Sequence, residues 1–180
     1  MYFQNIEFYE TKNFQYLLLH KNGCQSILKC LNKLNYSITK NLNNKIRWTV
    51  VREPYERFIS GLSYDLKKNN LTIEDINLDE LFTCYHEINS KFNGFINHTC
   101  YQTLYLINTN IDWYIDLKDL NLFLKMHFNE TFHENKKTYE LKLSKKIKNK
   151  IKEYLKVDYY IYNMILTSER VWKWQKGKIF

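Results

Sequence analysis

An order of strand, tight loop and helix appears twice in the first part of the chain, and it constrains the fold more than any other feature. Residues 14–19 (FQYLLL) form a short apolar run bounded by polar residues, the pattern of a buried strand. His20 to Gln25 breaks that run, with Gly23 as the residue free to take a left-handed turn. From Ser26 onward Ile27, Leu28, Leu31 and Leu34 recur at helical spacing. The order returns at Trp48-Thr49-Val50-Val51, after which Pro54 opens a helix bearing Tyr55, Phe58, Ile59 and Leu62 as far as about Lys68. Two such units predict parallel strands joined by a right-handed crossover. Open sheets of this kind bind ligands beyond the carboxyl ends of their strands. The loops at 20–25 and 52–54 are therefore expected to open on one edge, which makes Lys21 and Arg52 neighbours.

Composition agrees with this α/β reading. Only 4 Gly and 1 Pro weigh against an all-β fold with many tight turns. Hydrophobic residues at 44% supply a core that a disordered chain lacks. A length of 180 residues, with no repeat or linker, predicts a single domain over 1–180. No stretch nears the roughly 20 apolar residues of a membrane span. The start, MYFQNIEFYETKN, lacks the basic and apolar regions of a signal peptide. Cys24, Cys30, Cys84 and Cys100 form no CxxC pair and no zinc-like spacing with histidines. They read as reduced thiols, so a cytoplasmic location and no metal site are expected.

The remainder is predicted to be mostly helical. Residues 68–77 read as loop, 78–88 as helix, 91–98 as irregular and 100–107 as buried. Trp113-Tyr114-Ile115 is a third strand, and 117–128 a helix with Leu120, Phe123 and Leu124 inward. After a polar loop at 132–139, Ser144 caps a helix to about Leu155 and Asp158 caps another through Tyr162 and Ile165. The tail from Val171 has no assigned structure. The charge of +8 attracts anionic partners in general. Much of it lies in Lys136, Lys137, Lys142, Lys145, Lys146, Lys148, Lys150, Lys152 and Lys156, expected as a solvated face around Leu143, Ile147, Ile151 and Leu155.

Chemistry concentrates in the two loops. His20-Lys21-Asn22-Gly23-Cys24-Gln25-Ser26 runs into a helix N-terminus, where backbone N–H groups and a lysine make an anion site. The lysine precedes the glycine, unlike GxxxxGK[ST], which disfavours a Walker-type nucleotidase. Val51-Arg52-Glu53-Pro54-Tyr55-Glu56-Arg57-Phe58-Ile59-Ser60 sets an arginine, whose planar fork suits phosphate, directly off a strand.

At these loops the chain resembles the PAPS-dependent sulfotransferases, particularly their carbohydrate sulfotransferase branch. The first loop is similar to that family's 5′-phosphosulfate motif P-K-x-G-x-[ST], with His20 in place of proline. The second matches its 3′-phosphate motif V-R-x-P-x-x-R-x-x-S at Val51, Arg52, Pro54, Arg57 and Ser60. A looser likeness runs on through His98 and Gln102, through the stretch from Asp112 to Leu120 with Asp119 near the expected acidic position, and through Asp158, Tyr162 and Asn163 as a D-x-x-x-Y-N ending.

The resemblance implies a P-loop-like, three-layer α/β domain with a short parallel sheet flanked by helices and a helical C-terminal half. It implies transfer of a sulfuryl group from PAPS to an acceptor hydroxyl, a saccharide among the candidates, with release of PAP. Lys21 would meet the phosphosulfate and the charge on its bridging oxygen. Asn22, Gly23, Cys24, Gln25 and Ser26 would hold the 5′-phosphate, and Arg52 and Ser60 the 3′-phosphate. His98 is the candidate base, because a histidine accepts protons near neutral pH; His20 and Glu87 remain alternatives. His86, His127 and His133 are expected to be structural or exposed. Arg57 is expected to pair with Glu53 along the helix.

Tyr85, Phe92, Phe95, Tyr101, Tyr105 and Trp113 either line an acceptor cleft or build a tyrosine-rich core. Two other functions compete: a nucleotide-dependent kinase, and a non-catalytic nucleic-acid or glycan binder on a degenerate version of the same fold. No nucleic-acid-binding motif supports a stable nucleic-acid partner.

Overall fold

In a computed structural model, which describes residues 7–83, 98–106, 109–131 and 141–172, both strand–loop–helix units form. The strands are β1 (Phe8–Glu10), β2 (Phe14–Leu17), β3 (Ser37–Thr39), β4 (Ile46–Val51) and β5 (Trp113–Asp116). Their order across the sheet is β3-β1-β2-β4-β5. The pairs β2–β4 and β4–β5 are parallel, with Tyr16 opposite Trp48 and Val50 opposite Ile115. These three are the predicted strands. The sheet is wider than expected, because β1 joins β2 and β3 antiparallel. Each of these two added strands has only three residues, too few to carry a period of two. Thr11 closes the β1–β2 turn, its N–H donating to the Phe14 carbonyl at 2.8 Å and its Oγ1 accepting from the Phe14 N–H at 3.2 Å.

The helices are α1 (Cys24–Lys33), α2 (Pro54–Lys68), α3 (Leu78–Thr83), α4 (Thr103–Leu106), α5 (Leu120–Phe128), α6 (Lys145–Tyr154) and α7 (Lys156–Thr167). A short 3-10 turn, Leu117–Asp119, leads into α5. Strand alternation sends side chains to two faces. Tyr16, Trp48, Val50 and Ile115 pack with Ile27 and Leu31 of α1 and with Phe123 and Leu124 of α5. Val51 packs on the opposite face with Tyr162 and Ile165 of α7. Helices thus cover both faces of a mixed sheet. A further core joins Phe58, Leu62 and Leu66 of α2 to Leu81 of α3 and to Ile151 and Leu155.

Helix boundaries follow their local chemistry. Glu53 caps α2 by accepting from the Glu56 N–H at 2.6 Å, and Pro54 occupies the first helical turn. Ser144 caps α6 as expected, accepting from the Ile147 N–H at 3.3 Å, and the described lysines of α6 are exposed around a buried Ile151. Asp158 does not cap its own helix. Helix α7 begins two residues earlier, at Lys156, and the buried Asp158 carboxylate accepts from the N–H groups of Gln102 and Thr103, both at 2.9 Å, and from the Thr103 hydroxyl. Tertiary demand has taken the side chain away from the local cap. The start of the tail also gains a place, for Val171 bridges Tyr114 and Trp172 packs edge-on against Phe123 at 5.3 Å. Among the described residues no helix is long and apolar enough to cross a membrane.

Asp158→Asn replaces an acceptor-only group that meets three donors, so an amide N–H₂ confronts at least one of them. Loss of about 3 kcal/mol of stability is expected, because hydrogen bonds to a buried charged acceptor contribute about 1.5–3 kcal/mol each. Urea unfolding checks it; a change below about 0.5 kcal/mol would show that Asp158 does not brace residues 102–103.

Candidate active site

Because β2 and β4 run parallel, the loops that follow them leave the sheet at the same edge. The first loop turns on two left-handed residues, Lys21 at φ 67° and Gly23 at φ 81°. That conformation suits glycine and is uncommon for a residue with a side chain. Asn22 between them is fully buried, and its Nδ2 donates to the Val50 carbonyl at 2.7 Å and to Gln102 Oε1 at 3.3 Å. Helix α1 starts at Cys24 with no acidic residue in its first turn and no side-chain cap from Gly23. Its positive N-terminal end is therefore left without a carboxylate of its own.

Arg52 leaves β4 toward this loop. Its Nη1 donates to the Lys21 carbonyl at 3.2 Å, and its Nε lies 3.6 Å from the exposed Glu56 carboxylate. Lys21 and Arg52 are neighbours, as the parallel pairing predicted. Gln102 clamps the two loops: its Nε2 donates to the Arg52 carbonyl at 2.8 Å while its Oε1 accepts from Asn22 and, at 3.5 Å, from the Arg52 N–H. Ser60 is half-buried on α2, two turns beyond Arg52. Ser26 lies in the first turn of α1, where its N–H bonds the Gly23 carbonyl at 3.1 Å. Cys24 is half-buried and Gln25 exposed.

The centre of the site is a stripe on α2 at four-residue spacing: Arg57, Gly61 and Asp65. Arg57 is 1% exposed, and its guanidinium donates through Nε to the His20 carbonyl at 3.2 Å and through Nη1 to the Cys100 carbonyl. The expected pair with Glu53 does not form. The Arg57 side chain turns inward beneath residues 98–100, and the Glu53 carboxylate takes the Glu56 N–H and the Tyr159 hydroxyl. At Gly61 an added Cβ would lie 2.4 Å from the His98 carbonyl oxygen. Asp65, with its side chain 2% exposed, places Oδ1 2.7 Å from His98 Nδ1. Three residues of one helix thus fasten the segment from His98 to Cys100.

His98 is flanked edge-on by His20, with ring centroids 5.4 Å apart, and by Tyr64 at 5.1 Å. Lys21 Nζ sits 4.2 Å from the Tyr64 ring centroid, so one aromatic ring touches both the lysine and the histidine. Burial lowers the proton affinity of His20, and His98, Arg57 and Lys21 lower it further. Burial also lowers that of Lys21, partly offset by Asp65.

Of the other sequence candidates, Glu87, His86, His133, Tyr85, Phe92 and Phe95 lie outside the described residues. Tyr101 stacks on Tyr154 at 4.6 Å and Trp113 packs against Phe123, which are core roles. His127 is half-buried among Trp113, Phe123 and Trp172. Asp112 fastens the far end of β5, accepting from the Arg47 N–H at 2.8 Å. Three neighbours of His98 were missed from sequence: Gly61, Tyr64 and Asp65. The four-residue spacing from Arg57 was the visible signal for Gly61 and Asp65, and Tyr64 had none.

A family model described as the sulfotransferase family matches residues 10–115. That span runs from the end of β1 to β5 and holds both loops, the α2 stripe, His98 and Gln102. No curated protein and no solved structure gives a match.

Glycine-to-alanine changes within a helix ordinarily stabilise it by about 0.5–1 kcal/mol. Gly61→Ala is expected to act in the opposite direction, because the new methyl meets the backbone of His98 rather than a movable side-chain end. A loss of roughly 1–3 kcal/mol is expected by denaturant unfolding. A stabilised variant would mean that residues 98–100 do not lie on α2.

Proposed function

The chain belongs to the sulfotransferase family, and on that premise we propose that it moves a sulfuryl group from PAPS to an acceptor hydroxyl and releases PAP. The observation that carries the donor assignment is the meeting of Lys21 and Arg52 at one sheet edge, beside the N-terminus of α1. Two cations and a helix end without its own carboxylate fit a ligand with phosphates at both ends of a nucleoside. Gly23 fits the same role, because its left-handed turn brings backbone to the mouth of the loop.

PAPS would supply the activated sulfuryl group there. Lys21 would face the phosphosulfate, where its charge counters the negative charge that grows on the bridging oxygen as the old S–O bond breaks. Main-chain groups of Asn22, Gly23, Cys24 and Gln25, with the Ser26 hydroxyl, would hold the 5′-phosphate. Arg52 and Ser60 would hold the 3′-phosphate, the group that separates PAPS from ATP. His98 takes the proton of the acceptor hydroxyl as its oxygen forms the new bond to sulfur. The Asp65 contact favours His98 over His20, whose proton affinity burial lowers. Alignment of acceptor, sulfur and leaving oxygen accounts for most of the rate, as in other transfers of charged groups.

The carbohydrate branch, a saccharide acceptor, a single domain over 1–180 and a cytoplasmic setting belong to the same proposal. The two loop motifs support the branch, and the free thiols of Cys24, Cys30 and Cys100 suit a reducing compartment.

Thermal unfolding with and without PAP tests the donor site. At 100 times its dissociation constant PAP adds about 2.7 kcal/mol to the native state, a rise of several degrees for a chain of this size. The expected result is that rise in the wild type, its absence in folded Arg52→Ala, and displacement of PAP by PAPS in preference to ATP. Preference for ATP would favour a kinase. No shift with millimolar PAP, together with salt-sensitive binding of RNA or heparin, would favour a non-catalytic binder.

A further inference from the structure

The contact between Asp65 and His98 has chemical content that the loop motifs lack. An ionised carboxylate only accepts hydrogen bonds, so at 2.7 Å the bond requires the proton to sit on His98 Nδ1. A neutral imidazole carries one N–H, and the free lone pair then belongs to Nε2. Alternative ring orientations are restricted on several sides. The His98 main chain rests on Gly61, Tyr64 and His20 stand edge-on to the imidazole, and the Asp65 side chain is itself almost fully buried. Asp65 lies two turns beyond Arg57 on α2, the helix that also carries Arg52's neighbour Glu56 and the candidate Ser60.

We propose that Asp65 is the positioning residue of His98: its carboxylate fixes the Nδ1-protonated tautomer and leaves Nε2 as the atom that receives the acceptor's proton. This rests on the reading of His98 as the base. The proton balance is simple. The acceptor's O–H bond breaks as its oxygen bonds to sulfur, Nε2–H forms, and the positive charge of the imidazolium sits beside the Asp65 carboxylate. Asp65 itself gains no proton. A carboxylate in this place both orients the ring and stabilises its charged form. Lys21 and His20 from the first loop, with Arg57 and Tyr64 from α2, are positive or ionisable groups around this pair, and Asp65 is the one carboxylate that meets the imidazole among the described residues.

The test is ¹⁵N NMR of histidine-labelled protein at a pH where the ring is neutral, on wild type, Asp65→Asn and His98→Asn, the last serving to assign the His98 signals. In the wild type, Nδ1 of His98 is expected to be pyrrole-like and Nε2 pyridine-like. In Asp65→Asn the amide can donate to Nδ1, so the pattern should reverse or average. Turnover of PAPS by Asp65→Asn should fall about 100-fold or more in kcat, the scale of general-base catalysis. KM for PAPS and the PAP-induced melting shift should remain as in the wild type. A wild-type His98 protonated on Nε2 would overturn the proposal without any variant. So would an unchanged tautomer in folded Asp65→Asn, or a loss confined to KM. Full turnover by His98→Asn would overturn the catalytic half alone. A wild type that ignores PAP sinks the donor reading instead, and the NMR pattern still decides whether Asp65 sets the tautomer.

Discussion

A buried guanidinium holds this site together. Arg57 gives up nearly all of its hydration, a loss that leaves a charge costly unless its N–H groups find acceptors. The acceptors it meets are main-chain carbonyls of two distant segments, His20 and Cys100. Each stands beside a residue of chemical interest: His20 next to Lys21, Cys100 two residues after His98. The charge therefore positions backbone, and the backbone carries the reactive side chains. It also has an electrostatic effect. After burial itself and the neighbouring His98, Arg57 is among the causes that lower the proton affinity of the His20 imidazole. One residue both joins three segments and biases the charge state of the site between them.

The three parallel strands and α2 were legible because their signals are local and redundant. An apolar run bounded by polar residues has few readings, and Pro54 with Glu53 before it marks a helix start at the residue where α2 begins. The meeting of Lys21 with Arg52 was also legible, though only through topology: parallel strands bring their carboxyl-end loops together whatever their distance in sequence. Strands β1 and β3 were not. Phe8–Glu10 and Ser37–Thr39 are strands because β2 and then β1 offer an open edge, and three residues carry no period of their own. Arg57 and Asp158 were misjudged for a shared reason. Helical spacing suggested Glu53 as the partner of Arg57, and capping statistics suggested that Asp158 starts a helix. Both side chains are buried, and burial made distant main-chain groups the stronger claimants. The setting of His98 was half legible. The spacing of Arg57, Gly61 and Asp65 is plain in the sequence, but a polar stripe on a helix reads as solvent-facing until another segment is seen to cover it.

Helix α7 shows how residues beyond the family match can still govern the site. Asp158 receives the N–H groups that begin α4, Tyr159 donates its hydroxyl to Glu53 beside Arg52, and Tyr162 donates to Asp116 at the end of β5 at 3.0 Å. One helix thereby braces three separate chain segments along the same edge of the sheet. Loops gain precision when rigid elements fix their ends, and such precision is what a transfer between aligned atoms requires. Burial, together with a carboxylate beside each hydroxyl, pushes Tyr159 and Tyr162 up from the usual tyrosine range. A raised value keeps a phenol protonated, so both remain donors throughout the range in which a histidine changes charge. Proton movement at the imidazoles therefore leaves these two braces in one state. The part of the molecule that can change charge is held by a part that does not.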